Sequence, residues 1–223
     1  MNSPYEKEIA DEWGPANAVT PFQIRSMFRM AKLGTNDVYY DLGSGHGRTV
    51  RLAAKEFRVR MAIGIEHEPE RFCHARMLAK KTLTKRQLDR VEFWLEEMDE
   101  SDLVGAKVAF YGLEPHRHED KLFRKLFKGR RVRIIRKDLP TVGYAPIGSS
   151  RDSRSTWFFL MSYPLTKYRI EDKDKWAKAV LGPKATTKDV FRYYDRQLKR
   201  RKIADRASMV RKLRRLVRES FPR

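Results

Sequence analysis

The chain has 223 residues, enough for one domain with an extension, and 41% of them are hydrophobic, enough for a buried core. A net charge of +20 indicates an anionic partner, and the single cysteine excludes an intramolecular disulfide. The longest wholly apolar run, residues 157–161, is too short to span a membrane, and residues 1–8 do not resemble a signal peptide. These features predict a cytoplasmic protein with no membrane partner.

Short apolar runs alternate with helical patterns from about residue 37, which is the order that builds a mostly parallel twisted sheet flanked by helices. Between the first two runs, Val50, Ala53, Ala54 and Phe57 recur at helical spacing, so we expect a helix with one face on the sheet. The predicted strands are residues 37–42, 61–66, 91–95, 106–113, 131–137 and 156–163.

A seventh strand is expected near residues 141–147. Residues 143–154 are rich in Gly, Pro and Ser, which predicts the loop of a hairpin that ends in the last strand. The composition changes at about residue 165, so we predict a folded domain over residues 1–165 and a basic helical C-terminal extension over residues 166–223.

The extension carries 20 basic and 7 acidic residues. Its basic runs, residues 199–202 and 211–215, lie on segments with apolar stripes at helical spacing, which predicts helices that pack on the domain and expose their charges. A solvated surface would show the same pattern, but the density of charge favours contact with nucleic acid or ribonucleoprotein.

Cys73 falls in the helix that follows the second predicted strand, and we expect it to be a small core residue rather than a nucleophile. His116 and His118 are spaced like a pair of metal ligands, but no cysteine or carboxylate completes a site around them. The sequence therefore predicts no metal centre.

The most informative segment, residues 41–47, reads Asp-Leu-Gly-Ser-Gly-His-Gly and lies where the first strand turns into the first helix of the sheet. Glycines at this position let a ligand approach the backbone, and the helix behind them offers unpaired N–H groups. Dinucleotide sites need a glycine where this chain has Arg48, so NAD is disfavoured. Glu66 ends the second strand 21 residues after Gly45, where a carboxylate can accept hydrogen bonds from both ribose hydroxyls.

These motifs, over about residues 13–163, resemble those of the class I, seven-β-strand methyltransferases that use S-adenosyl-L-methionine (SAM). The resemblance implies a Rossmann-like fold with SAM as the cofactor. It implies that Glu66 holds the ribose and that five residues of the loop surround the methionine moiety: Asp41, Gly43, Ser44, Gly45 and Gly47.

In such enzymes an acidic residue after the third strand accepts a hydrogen bond from the adenine amino group. Here the resemblance assigns that role to Glu97, with Met98 beside the ring. The neighbouring acids Glu96 and Asp99 are alternatives, and a plain solvated acidic turn is another.

Within the superfamily the chain is most similar to the archaeal protein-lysine methyltransferases and their mitochondrial relatives. The shared features are the glycine motif, Gly-Ile-Glu and an upstream Thr-Pro before a helix, which Thr20 and Pro21 match, so Thr20 joins the predicted cofactor residues. The Gly-Ser-Gly loop and the basic tail also resemble the Dot1-type lysine methyltransferases, in which a basic tail binds nucleic acid.

A lysine amine of ordinary pKa is only about 0.1% neutral near pH 7.4, so a carboxylate or desolvation must help it lose a proton. Glu114 follows the fourth strand at the sheet edge where ligands bind, and Tyr111 and His116 share its neighbourhood. We predict that these three residues contact the acceptor, although core packing and helix capping are alternatives for them.

The sequence as a whole predicts a SAM-dependent protein-lysine N-methyltransferase acting on basic or nucleic-acid-associated proteins. The segment after the fourth strand lacks the Asn-Pro-Pro-Tyr type motif of enzymes that methylate amides or base amino groups. An RNA methyltransferase is the first alternative. The second is a nucleic-acid-binding protein that retains SAM without catalysis.

Overall fold

The computed structural model describes residues 19–113, 119–138, 140–141, 144, 146–151 and 156–166, with scattered residues between 177 and 215. In chain order its helices and strands are α1 (Pro21–Met30), β1 (Val38–Leu42), α2 (Arg48–Leu52) continued by a π-helical turn (Ala53–Phe57), β2 (Met61–Glu66), α3 (Pro69–Thr82), α4 (Lys85–Leu88), β3 (Val91–Leu95), β4 (Val108–Tyr111), α5 (Glu119–Leu126), β5 (Val132–Lys137), β6 (Gly148–Arg151) and β7 (Trp157–Tyr163).

The strands form one seven-stranded sheet in the order β3-β2-β1-β4-β5-β7-β6. Strands β1 to β5 are parallel, and β7 runs antiparallel to both β5 and β6. The expected mostly parallel sheet flanked by helices is confirmed. The chain winds outward from β1 in both directions, so the carboxyl ends of β1, β2 and β4 meet at the crevice where open α/β sheets bind ligands.

Both faces of the sheet are covered, and β1 shows how the sequence achieves this. All five of its residues are buried, with Val38, Tyr40 and Leu42 in the cluster on one face and Tyr39 in the cluster on the other. A strand buried on both faces needs a continuous apolar run, and that run made β1 recognisable in the sequence. Helices α1 and α2 cover the face to which Tyr39 points.

The seventh strand is β6, at Gly148–Arg151, so its expected position near residues 141–147 is wrong. It lies inside the stretch that we expected to be only a hairpin loop. Its sequence, Gly-Ser-Ser-Arg, has no apolar alternation, and its strand geometry comes from antiparallel pairing with β7.

Cys73 is exposed, which corrects the expectation that it is a core residue. Helix α3 buries Ala75, Leu78 and Ala79. At about 100° per residue, Cys73 is rotated about 200° from Ala75 and therefore faces solvent.

Described residues of the C-terminal extension pack on the domain. Ala177 and Val210 are buried in the core cluster that contains Val38, whereas Arg211 and Arg214 are exposed. The boundary near residue 165 stays a prediction. Within the described part of the chain, no helix is long and apolar enough to cross a membrane.

Candidate cofactor site at the carboxyl ends of β1 and β2

The loop between β1 and α2 is anchored to the neighbouring strand. The N–H groups of Gly43 and Ser44 both donate to the carbonyl of Ile65, at 3.0 and 2.8 Å. Gly43, Gly45 and Gly47 have φ values of 86°, 53° and 67°, a region that residues with a Cβ rarely adopt. The three glycines therefore let the chain turn sharply while it stays bonded to β2.

The space above the loop is open and has apolar walls. A Cβ added to Gly45 would meet no atom within 4 Å, and one added to Gly43 would meet only Met98 and Leu113, each at 4.0 Å. The structure therefore brings Met98, predicted to lie beside the adenine ring, close to the glycine loop. Leu113, which the sequence analysis did not select, lies on the loop as well.

Glu66 is 4% exposed and joins the end of β2 to the loop. One carboxylate oxygen accepts a hydrogen bond from the Gly45 N–H at 2.8 Å, and the other accepts one from the Glu68 N–H at 3.1 Å. The oxygen that accepts from Glu68 also lies 3.4 Å from Nδ1 of His67. The oxygen that accepts from Gly45 can take a further bond, so Glu66 retains acceptor capacity for a ligand at the strand end.

Asp41 is buried at the end of β1. One of its carboxylate oxygens accepts a hydrogen bond from the Thr49 hydroxyl, and the other is buried without a partner. Burial raises the pKa of the Asp41 carboxyl to about 7; the Thr49 bond lowers it, and the charge of Glu66 raises it further. Thr49 was missed in the sequence analysis, although a hydroxyl in the first turn of α2 was a usable signal.

Ser44 directs its side chain into the protein. It is buried, and a Cβ on Gly64 would lie only 2.8 Å from its hydroxyl oxygen. Gly64 sits in the middle of β2 beside Asp41 of β1. The absence of a side chain there leaves the room that Ser44 occupies, so Ser44 faces the sheet rather than the open space above Gly45.

Gly47 is the glycine of the loop with the least room. A Cβ there would lie 2.4 and 2.5 Å from two ring carbons of Phe93 on β3. We expect Gly47→Ala to destabilise the protein by about 2 kcal/mol or more, because the left-handed backbone alone costs an L-residue about 1–2 kcal/mol. Gly34→Ala is the matched control, since nothing lies within 4 Å of its added Cβ. Urea unfolding tests this, and equal midpoints for the two variants would contradict it.

Thr20 is the N-cap of α1. Its hydroxyl accepts a hydrogen bond from the Gln23 N–H at 3.3 Å, and the Gln23 side chain accepts one from the Thr20 N–H in return. Arg48, in the first turn of α2, donates to the carbonyl of Val19 at 3.1 Å. The segment before α1 is thereby tied to the helix that follows the glycine loop, while the Thr20 side chain acts as a cap.

The acidic turn after β3 contains the residues considered for the adenine. Glu96 accepts a hydrogen bond from the Ser101 hydroxyl at 2.5 Å, and Asp99 lies 3.7 Å from the Lys125 ammonium. Glu97 is exposed, and within the described ranges its carboxylate has no partner. Of the three acids, Glu97 is therefore the one left open to a ligand.

Tyr111 is a core residue. It is 1% exposed, it packs edge-on against Phe123, and the guanidinium of Arg136 stacks 4.6 Å from its ring centre. Burial raises the pKa of Tyr111 to about 12. Core packing, the alternative considered for Tyr111, describes its surroundings, and its contact with the acceptor stays a prediction. Glu114 and His116, the other two predicted acceptor contacts, lie outside the described residues.

A buried ion pair supports the end of β4. Arg136 is fully buried, donates to the carbonyls of Tyr111 and Leu113 at 2.5 and 3.0 Å, and donates to the Glu119 carboxylate at 2.6 Å. The guanidinium of Arg136 thus links the end of β4, which lies beside the glycine loop, to the start of α5. Neither Arg136 nor Glu119 was selected from the sequence. In the described ranges there is no group of three His, Cys, Asp or Glu residues that could hold a metal ion.

Comparison with known proteins gives three kinds of likeness. Residues 17–103 match the family model described as "Histone methylation protein DOT1". A protein-lysine N-methyltransferase from Saccharolobus islandicus is 44% identical over 52 residues, which are 23% of this chain and 32% of that protein. The chain therefore matches about a third of the length of this curated relative.

Solved structures share the fold. A Salinibacter ruber RNA methyltransferase in complex with S-adenosyl-L-homocysteine superposes with a TM-score of 0.57 at 28% identity, covering 65% of this chain and 92% of that one. The Bacillus subtilis tRNA methyltransferase TrmK superposes with a TM-score of 0.54 at 14% identity, covering 92% and 99%. The likeness to TrmK concerns the fold alone.

Proposed function

Since this chain is a class I, seven-β-strand SAM-dependent methyltransferase by fold, we propose that it methylates lysine side chains of basic or nucleic-acid-associated proteins. The observation that carries the choice of lysine is the 44% identity over 52 residues with a protein-lysine N-methyltransferase. The match to the DOT1 family model, over residues 17–103, supports the same choice.

The residues of the site fit SAM. The buried oxygen of Asp41 that has no partner needs a donor, and the methionine moiety carries an ammonium group. Glu66 keeps acceptor capacity for ribose hydroxyls, and Gly45 leaves open space beside it. Met98 and Leu113 supply apolar walls, and Glu97 remains open to the adenine amino group.

SAM supplies its own electrophilic methyl group, so the protein mainly has to hold the acceptor in line with the methyl–sulfur bond. For a lysine acceptor, the protein must also favour the neutral amine. We assign that task to Glu114 and His116, because both come soon after β4 in the sequence and β4 ends at the edge of the sheet where the glycine loop lies.

The test is transfer of radiolabelled methyl from SAM to a cell extract, followed by nuclease treatment and acid hydrolysis. We expect label that survives nuclease and hydrolyses to methyl-lysine. Asp41→Ala should abolish the transfer, whereas Glu70→Ala, an exposed acid on α3, should leave it intact.

RNA methylation is the second candidate, favoured by the 28% identity with the Salinibacter ruber enzyme and by the net charge of +20. Label that is lost on nuclease treatment and survives protease would establish it in place of lysine methylation. If the protein binds SAM and labels neither class, the third alternative applies, a nucleic-acid-binding protein that retains SAM without catalysis.

The basic extension is proposed to bring the enzyme to nucleic-acid-associated substrates. Val210 is buried while Arg211, Arg214 and Arg215 are exposed, which supports a helix that packs by one face and presents cations on another. Such cations suit phosphate oxygens.

SAM affinity should rise with pH. The SAM-free Asp41 carboxyl has its pKa raised to about 7 by burial, so a large fraction is protonated at pH 6, whereas the SAM ammonium favours the ionised form. We expect affinity to increase about tenfold between pH 6 and pH 8, and Asp41→Asn to remove that dependence. Titration calorimetry in two buffers measures the affinity and the released proton. Affinity that is flat or falling with pH in the parent protein would contradict the assignment.

A further inference from the structure

A basic groove lies at the amino ends of β2 and β3, at the opposite edge of the sheet from the glycine loop. Arg58 ends the π-helical turn shortly before β2, and Arg90 directly precedes β3. Since β2 has six residues at about 3.3 Å each, the groove is about 20 Å from Glu66. Its volume is about 310 Å³, and its lining residues are Ala54, Lys55, Arg58, Thr84, Arg86, Gln87 and Arg90.

Among the residues that the structure describes, the lining of the groove contains four cationic side chains and no carboxylate. Lys55, Arg58 and Arg86 are exposed, and Arg90 is half-buried and donates to the Arg58 carbonyl at 3.2 Å, which joins the two walls. Four like charges around one concave surface repel each other, and an anion bound among them relieves that repulsion.

The two acids that are adjacent to these cations in sequence do not line the groove. Glu56 is adjacent to Lys55 in sequence, but both of its oxygens accept hydrogen bonds from Arg25 at 2.7 Å. Asp89, which precedes Arg90, is exposed and is not part of the lining. The positive charge of the groove is therefore available to bind an external anion.

We propose that this groove binds the phosphodiester backbone of a nucleic acid. Three of its four cations are arginines, whose planar forks suit phosphate oxygens. A protein partner would require apolar or aromatic anchors at the centre of the interface. Within the described part of the chain the apolar lining is Ala54 alone, which is itself buried. The chemistry of the groove therefore fits a chain of phosphates better than an acidic protein surface.

The location places this groove away from the cofactor site. A nucleic-acid strand bound about 20 Å from Glu66 leaves the glycine loop accessible. The inference does not depend on the proposed function, because the groove would bind nucleic acid whether the acceptor is a lysine or an RNA base.

The test compares two triple variants of the full chain by fluorescence anisotropy. The probes are fluorescein-labelled 20-nucleotide single strands of the same sequence, one RNA and one DNA. The groove variant is Lys55→Ala, Arg86→Ala, Arg90→Ala. The control removes three exposed cations on and after α5 and loses the same charge: Lys121→Ala, Arg124→Ala, Lys128→Ala.

The groove variant should lose about two decades of affinity at 0.1 M salt, and its salt slope should fall by about 2. Each phosphate contact contributes about 0.7 to that slope for single strands. The control variant should lose much less. A loss on both probes supports backbone recognition, and a loss on RNA alone supports RNA as the natural partner. Unchanged affinity, or an equal loss in the control, would overturn the proposal.

Three further measurements distinguish the proposal from misfolding and from binding of an acidic protein. SAM binding by calorimetry should be the same in both variants and the parent, which shows that the domain is folded. A second variant, Lys55→Glu with Arg86→Glu, changes the net charge by −4 but leaves the Arg90 hydrogen bond in place, and it should lose at least as much affinity. If poly-glutamate displaces the RNA from the parent at equal charge concentration, the groove binds an acidic protein and the nucleic-acid assignment is wrong.

Discussion

Glu66→Ala is expected to lower the affinity for SAM at least about 100-fold and to abolish methyl transfer. Two hydrogen bonds from ribose hydroxyls to a charged acceptor contribute about 1.5–3 kcal/mol each, and both would be lost. The variant also removes the acceptor of the Gly45 N–H, which lies 2.8 Å from the carboxylate and ties the glycine loop to β2.

Two companion variants separate these contributions. Glu66→Gln keeps an oxygen that can accept from the Gly45 N–H, so the loop should stay in place while SAM affinity falls by a smaller factor than in Glu66→Ala. Glu70→Ala removes the same charge from an exposed position in the first turn of α3 and should bind SAM like the parent.

Calorimetry measures the affinities, and the rise in melting temperature on adding SAM provides an independent reading. A bound ligand stabilises the folded state in proportion to the logarithm of its concentration over Kd. SAM affinity within about threefold of the parent in Glu66→Ala would show that the carboxylate does not hold the cofactor.

The fold could be predicted because its signals are local. Strands buried on both faces need continuous apolar runs, and the sequence of β2, Met-Ala-Ile-Gly-Ile-Glu, displays one with bounds that the structure reproduces. The conformation of the glycine loop and the position of Glu66 could be predicted because they depend on glycine backbone freedom and on where β2 ends.

The features that could not be predicted from the sequence are those whose environment is set by residues distant along the chain. β6 pairs with β7 although its own sequence has no strand pattern, because antiparallel pairing on one side is sufficient at the edge of the sheet. The burial of Tyr111 in the core cluster was likewise not evident from its place at the end of β4. Arg136 looked like one of several arginines around β5, and its partner Glu119 lies 17 residues earlier, at the start of α5.

Breaking that buried ion pair is expected to have the largest effect on stability. Glu119→Leu leaves the fully buried Arg136 without its carboxylate, and removing one partner of a buried pair costs about 3–5 kcal/mol. For a chain of this length each kcal/mol lowers the melting temperature by about 2–4 °C, so we expect a fall of roughly 6–20 °C.

Lys125→Ala is the control. Its ammonium lies 3.7 Å from Asp99 in an ion pair whose side chains are both more than half exposed, and such pairs contribute about 0–1 kcal/mol. Scanning calorimetry of the two variants should show a large shift for Glu119→Leu and almost none for Lys125→Ala. Similar shifts would mean that the Arg136 pair is not the main support of this region.

The double variant Arg136→Met with Glu119→Leu distinguishes charge burial from positioning. Replacing a buried pair by apolar residues of similar volume is often neutral, so most of the lost stability should return. The carbonyl of Leu113, to which Arg136 donates at 3.0 Å, would still lack its donor, and Leu113 lies against the loop at Gly43. We therefore expect SAM affinity in the double variant to stay well below that of the parent, because Arg136 positions Leu113, a wall of the proposed cofactor site. Full recovery of both stability and SAM affinity would limit the role of Arg136 to stability.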